Sequence, residues 1–112
     1  MSQITTHVLD TSRGRPVPNL SISLFQSSAG KWVNIASGIS DVDGRIVDLL
    51  KQDQILPVGN YKLCFETQSY FDGLGESSFY PSIEIIFSLS DSDHYHVPLL
   101  LSAYGYSTYR GS

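Results

Sequence analysis

The residues best suited to chemistry on a small polar substrate are His7, Arg45, the pair in His94-Tyr95-His96, and the terminal Tyr109-Arg110-Gly111-Ser112. The chain's 3 histidines are all in this set. An imidazole near its ordinary pKa can take a proton from water at neutral pH. An arginine offers a planar fork of donors that holds carbonyl or anionic oxygens and offsets charge growing on them. A guanidinium beside a histidine also disfavours the imidazolium, keeping the ring ready as a base. Together these types suit hydrolysis by activated water. A second reading is metal binding, since His-x-His on a strand puts two imidazoles on one face and a third could complete a zinc site. That spacing is weak on its own, and no Asp or Glu is placed to orient the rings.

Other candidates carry less. Ser102, Ser107 and Ser112 have no Gly-x-Ser-x-Gly elbow around them, which argues against a serine nucleophile. Asp41-Val42-Asp43-Gly44 resembles the start of a calcium loop but lacks the downstream glutamate, so turn chemistry explains it. The bland alternatives are plain: surface imidazoles, a turn-flanking Arg45, a solvated Arg110, and Cys64 as a small packing residue.

These side chains need strands to hold them. Ile4 to Asp10 alternates, with Ile4, Thr6 and Val8 on one face and Thr5, His7 and Leu9 on the other. In His94–Leu101, Tyr95, Val97, Leu99 and Leu101 share one face, while His94, His96 and Pro98 share the other. If the apolar faces meet the core, all three histidines point away from it. Further strands are expected at Leu20–Phe25, Trp32–Ser37, Ile46–Asp48, Tyr61–Glu66, Ile83–Ser88 and Tyr106–Arg110. Turns fall at Gln26–Lys31, Asp41–Gly44, Pro57–Asn60, Ser90–Asp93 and Gly105, and Thr11–Pro18 reads as a loop. Leu50 to Ile55 reads as a helical turn or a polar loop. Ser69 to Gly75 is the place for one short helix, with Ser69 as N-cap and Gly75 as its stop. About eight short strands without helix–strand alternation predict an all-β fold, an antiparallel two-sheet β-sandwich.

At 112 residues the chain makes a single domain, 1–112. A net charge of −4 without a Lys/Arg cluster argues against nucleic acid or an anionic membrane surface as partner. The single cysteine excludes an internal disulfide and suits a reducing compartment. No apolar run is long enough for a transmembrane helix. The first residues lack a signal-peptide pattern, so the expected compartment is the cytoplasm; a processed precursor would look the same, which leaves the peroxisome or periplasm open.

Four stretches carry a resemblance: Thr5-Thr6-His7-Val8-Leu9-Asp10-Thr11 with Gly14-Arg15-Pro16; Asp43-Gly44-Arg45; Ser69-Tyr70-Phe71 through Phe79-Tyr80-Pro81; and His94-Tyr95-His96-Val97-Pro98-Leu99-Leu100-Leu101-Ser102 through Tyr109-Arg110-Gly111-Ser112. In this order the chain resembles the 5-hydroxyisourate hydrolases, the enzymatic branch of the transthyretin-like family. The terminal Tyr-Arg-Gly-Ser looks like the enzyme signature that the carrier transthyretin lacks. Ala103 stands where many relatives have proline, which touches a turn only. The resemblance implies a transthyretin-like sandwich of about eight strands with a short helix, assembled as a homotetramer, a dimer of dimers with active sites between the dimers. It implies hydrolysis of 5-hydroxyisourate at the amide of its six-membered ring, giving 2-oxo-4-hydroxy-4-carboxy-5-ureidoimidazoline in urate breakdown, with no metal or organic cofactor. By motif, His7, Arg45, His96 and Ser112 match catalytic positions, and His7, Arg45 and Tyr109 match substrate-binding ones. His94 matches the non-catalytic first histidine of the His-x-His motif. A transthyretin-like small-ligand carrier is the alternative.

Overall fold

Two sheets pack face to face in the computed structural model, which describes residues 2–112. The strands in chain order are β1 (Ile4–Asp10), β2 (Arg15–Pro16), β3 (Ser21–Ser28), β4 (Lys31–Ile39), β5 (Arg45–Ile46), β6 (Gly59–Phe65), β7 (Ile83–Leu89), β8 (Tyr95–Ser102) and β9 (Gly105–Thr108). One helix, α1 (Thr67–Gly73), follows β6. The first sheet runs β2-β1-β8-β9, with β5 also paired to β1; the second runs β4-β3-β6-β7. This is the expected transthyretin-like sandwich.

The core forms where the period-two faces meet. Ile4 and Val8 of β1 and Leu99 and Leu101 of β8 face Ile22 and Leu24 of β3 and Leu63 and Phe65 of β6, all buried in one apolar cluster. Full burial of such a side chain contributes roughly 1.5–3 kcal/mol. The alternation therefore holds the sheets in register, because a one-residue slip would turn the His96 imidazole of β8 inward.

Local differences from the expected elements have physical reasons. The Gln26–Lys31 turn shrinks to Ala29-Gly30, whose φ of 51° and 76° permit a two-residue hairpin. The expected loop before Pro18 carries β2, paired to Leu9 and Asp10. Ile46–Asp48 becomes Arg45–Ile46, so Arg45 itself is a strand residue. The helix begins at Thr67, two residues before the expected N-cap. Ser69 donates to the Glu66 carbonyl (3.0 Å) instead of capping, and buried Phe71 anchors the helix on the core. Gly75, at φ 70°, does stop it, with its N–H on the Asp72 carbonyl at 3.0 Å. Between Leu50 and Ile55 there is no regular element; the segment's flanks are tied to the chain start, Leu50 N–H to Ser2 Oγ (3.0 Å) and Leu56 N–H to Gln3 Oε1 (2.9 Å). No helix among the described residues is long and apolar enough to cross a membrane.

One pairing matters most for the site. β1 and β8 run parallel, with Thr5 opposite His96 and His7 opposite Pro98. On its other edge β1 meets β5, which sets His7 opposite Arg45.

Candidate active site

Arg45 reaches the site through a tight turn. Asp41 Oδ1 accepts hydrogen bonds from the N–H groups of Asp43 and Arg45, both at 2.9 Å. Gly44 sits at φ 76°, and a Cβ there would lie 2.5 Å from the Val8 carbonyl oxygen. Only glycine lets this turn press onto β1, where the Gly44 carbonyl accepts the Val8 N–H at 2.8 Å. The Asp-x-Asp-Gly stretch is thus turn chemistry that aims an arginine.

The outward face of β8 carries His96, and His94, the residue just before the strand, lies on the same side. Their rings lie 6.4 Å apart, inclined by 26°. Both turn to one hydroxyl: Thr5 Oγ1 is 2.8 Å from His94 Nε2 and 2.8 Å from His96 Nδ1. Thr5, only 4% exposed, is the orienting group that no carboxylate supplies.

The tail folds back onto this face. The Gly111 N–H donates to the His96 carbonyl at 2.8 Å. Gly111 packs so closely on the His96 ring that a Cβ would fall 2.6 Å from Cδ2. Arg110 stacks over the Tyr95 ring, 4.0 Å from its centroid, and donates to the His94 carbonyl at 3.4 Å. It therefore pins the tail. Ser112 then joins Thr5, Thr6, Arg45, Val47, His94 and His96 around a groove of about 270 Å³. Arg45 also borders a second hollow with His7, Leu9, Pro16 and Asp43, and so stands between His7 and His96.

Burial lowers the His96 pKa below 6.5, and the nearby His94, His7 and Arg45 lower it further. Burial is the largest cause; the guanidinium is a smaller one than the sequence suggested. The ring is held neutral at neutral pH, with Nδ1 on Thr5, its Cδ2 side against Gly111, and Nε2 unpaired among the described residues. Such a ring can accept a proton from a water beside Arg45.

His7, Arg45, His96 and Ser112 are thus brought to one end of the first sheet. Tyr109 is not: it is 59% exposed and lines a separate groove with Ile85, Phe87 and Val97. Among the described residues, no three His, Cys, Asp or Glu side chains gather as metal ligands would. Thr5 was missed from sequence. Its parity with His7 was visible, but the parallel β1–β8 register that lays it under both imidazoles was not.

The model of the HIUase/Transthyretin family matches residues 4–111. A mouse protein named 5-hydroxyisourate hydrolase is 42% identical over 114 residues, covering 99% of this chain and 96% of its own. One of that name from Salmonella dublin is 42% identical, with 97% and 80% covered. Among solved structures, Klebsiella pneumoniae 5-hydroxyisourate hydrolase superposes at a TM-score of 0.83 with 36% identity, covering 97% of this chain and 98% of that one. Transthyretin from Sparus aurata superposes at 0.91 with 30% identity, covering 99% and 97%. Matched along its length by family, relatives and fold, this chain belongs to the HIUase/Transthyretin family.

Proposed function

We propose that this chain is a hydrolase that opens the six-membered ring of 5-hydroxyisourate, yielding 2-oxo-4-hydroxy-4-carboxy-5-ureidoimidazoline in urate degradation. The observation that carries this is the convergence of a neutral His96, Arg45 and Ser112 on one groove. His96 takes a proton from water as the water oxygen bonds to the ring carbonyl carbon. Arg45 holds the substrate oxygens and offsets the charge that grows on them. His7, across Arg45, positions water or substrate. Ser112 adds a hydrogen bond through its hydroxyl. The reading needs no metal or organic cofactor.

The groove of about 270 Å³ is at the small end for a ligand site and is open to one side. That suits a site completed by a second copy of the chain, in a homotetramer built as a dimer of dimers. In this reading Tyr109 meets substrate held mainly by another copy.

The sandwich alone does not separate hydrolase from carrier, since both solved relatives share it. The alternative, a small-ligand carrier, is supported by the superposition on the sea bream transthyretin. A carrier, however, has no use for a base, a guanidinium and the Ser112 hydroxyl around one groove. The test is the ultraviolet decay of 5-hydroxyisourate made in place by urate oxidase. The parent should accelerate decay, and folded His7→Ala, Arg45→Ala and His96→Ala variants should each lose about 10²-fold or more. No acceleration by an untagged, folded parent would refute the hydrolase. Activity lost in chelator and restored by zinc would refute its metal-free form.

A further inference from the structure

The Thr5 hydroxyl has one proton to give, yet it lies 2.8 Å from a ring nitrogen of each of two histidines. Both contacts are hydrogen bonds at once only if one nitrogen carries a hydrogen and the other is bare. Two neutral arrangements meet this condition. In the first, Thr5 donates to His94 Nε2 and accepts from His96 Nδ1–H, which leaves His96 Nε2 bare. In the second the direction reverses, and His96 Nε2 carries the hydrogen. Arg45 shares the groove with His96, and a cation there favours a lone pair over an N–H. Nor can the ring exchange its edges freely, because Gly111 crowds Cδ2 and Thr5 holds Nδ1.

We propose that Thr5 couples His94 to His96 as a proton relay, in which His94 is a positioning residue that keeps His96 Nε2 bare and receives the charge when that nitrogen is protonated. The proposal rests on the hydrolase reading for its chemistry, though not for its geometry. As water bonds to the carbonyl carbon, its proton passes to His96 Nε2. The His96 Nδ1 proton passes to Thr5 Oγ1, and the Thr5 hydroxyl proton to His94 Nε2. When the ring C–N bond breaks, the relay runs back and His96 Nε2 protonates the leaving nitrogen. The sum is one water added across one amide, with no other reactant. The charged and titratable groups around His96 are His94 just before its strand, His7 on β1 and Arg45 on β5. The relay moves the positive charge off the ring that burial, His94, His7 and Arg45 together hold neutral, and onto His94 itself.

The tautomers can be read directly from ¹⁵N-histidine NMR of the intact protein above the pH of imidazole titration. His96 should be protonated at Nδ1 and bare at Nε2, with the same pattern on His94. Thr5→Val keeps the shape and removes the hydroxyl; it should return His96 to the Nε2–H form and lower kcat about tenfold or more with little change in KM. Thr5→Ser, which keeps the hydroxyl, should stand well above Thr5→Val. His94→Ala should match Thr5→Val in rate and shift the acid limb of the pH profile. A parent with hydrogen on His96 Nε2 would overturn the relay without any variant being needed, as would a folded Thr5→Val as fast as Thr5→Ser. A parent with the expected tautomers but no hydrolysis would overturn the hydrolase reading and leave the coupling standing.

Discussion

A glycine with an ordinary backbone conformation can be as constrained as one in the left-handed region, and Gly111 is the case here. Its missing Cβ is the space that the His96 ring occupies. Gly111→Ala must push either the imidazole or the tail. We expect kcat/KM to fall about tenfold or more with little change in Tm, because the tail adds little to the core; parallel assays and melts would check this. His96 also dictates a pH dependence. Its pKa lies below 6.5, so the base form persists through neutrality and the acid limb of kcat/KM should fall below 6.5. For stability, the unfolded chain binds the proton more readily, so the His96 contribution is complete above 6.5 and is lost as pH falls toward the folded value. Comparing pH-dependent unfolding of the parent with His96→Ala would reveal that slope. At this scale residue type drew attention to His7, Arg45 and the His94/His96 pair, parity could not choose within that pair, and the resemblance pointed to His96; Thr5 carried no signal because a threonine on a strand is ordinary.

Elements were legible where one local pattern decides them and blurred where distant contacts do. Alternation found β1 and β8 nearly to the residue. The helix start shifted because Glu66 alone joins β6 to α1, and that depends on where Phe71 packs. Asp10 shows how such an element is tied down. Its side chain is fully buried and accepts from Tyr70 Oη at 2.6 Å, Arg13 Nη1 at 3.0 Å, and the N–H groups of Ser12 (3.0 Å) and Arg13 (3.1 Å). Arg13 in turn pairs with Glu76 beyond the helix. Burial pushes the Asp10 carboxyl up, but the bonds from Tyr70 and Arg13 outweigh it and hold the pKa below 3.8; the Tyr70 phenol rises to about 12. Asp10→Ala would orphan these donors and should cost about 2–3 kcal/mol in urea unfolding. The ionised carboxylate stabilises the fold above its ordinary pKa of 3.8, and that contribution fades as pH drops through the lower folded value. Gly44→Ala should be comparably costly, through φ strain and the clash with Val8, and should lower activity by displacing Arg45.

Across the whole molecule, the candidate site lies where Ser112 meets the first sheet. Extending the C-terminus beyond Ser112 should crowd the groove and lower kcat/KM while leaving the melting curve unchanged; unchanged kinetics would remove Ser112 from the site. If the groove is completed by a second copy, a variant held as a dimer should fold and turn over poorly, which sedimentation and assay together would reveal. Sandwich architecture was legible from strand count and turn spacing, but the parallel β1–β8 pair was not, because no local pattern encodes a partner some ninety positions away. That pair also bears on how the chain is made. Ile4 to Asp10 leave the ribosome well before Tyr95 to Leu101 and must wait for them. Until then the strand bearing His7 has no neighbour along one edge, and loop closure over nearly the full length must precede it. The second sheet, built from β3, β4, β6 and β7, can form while synthesis continues. The groove around His96 therefore takes shape only after both β1 and β8 have been made.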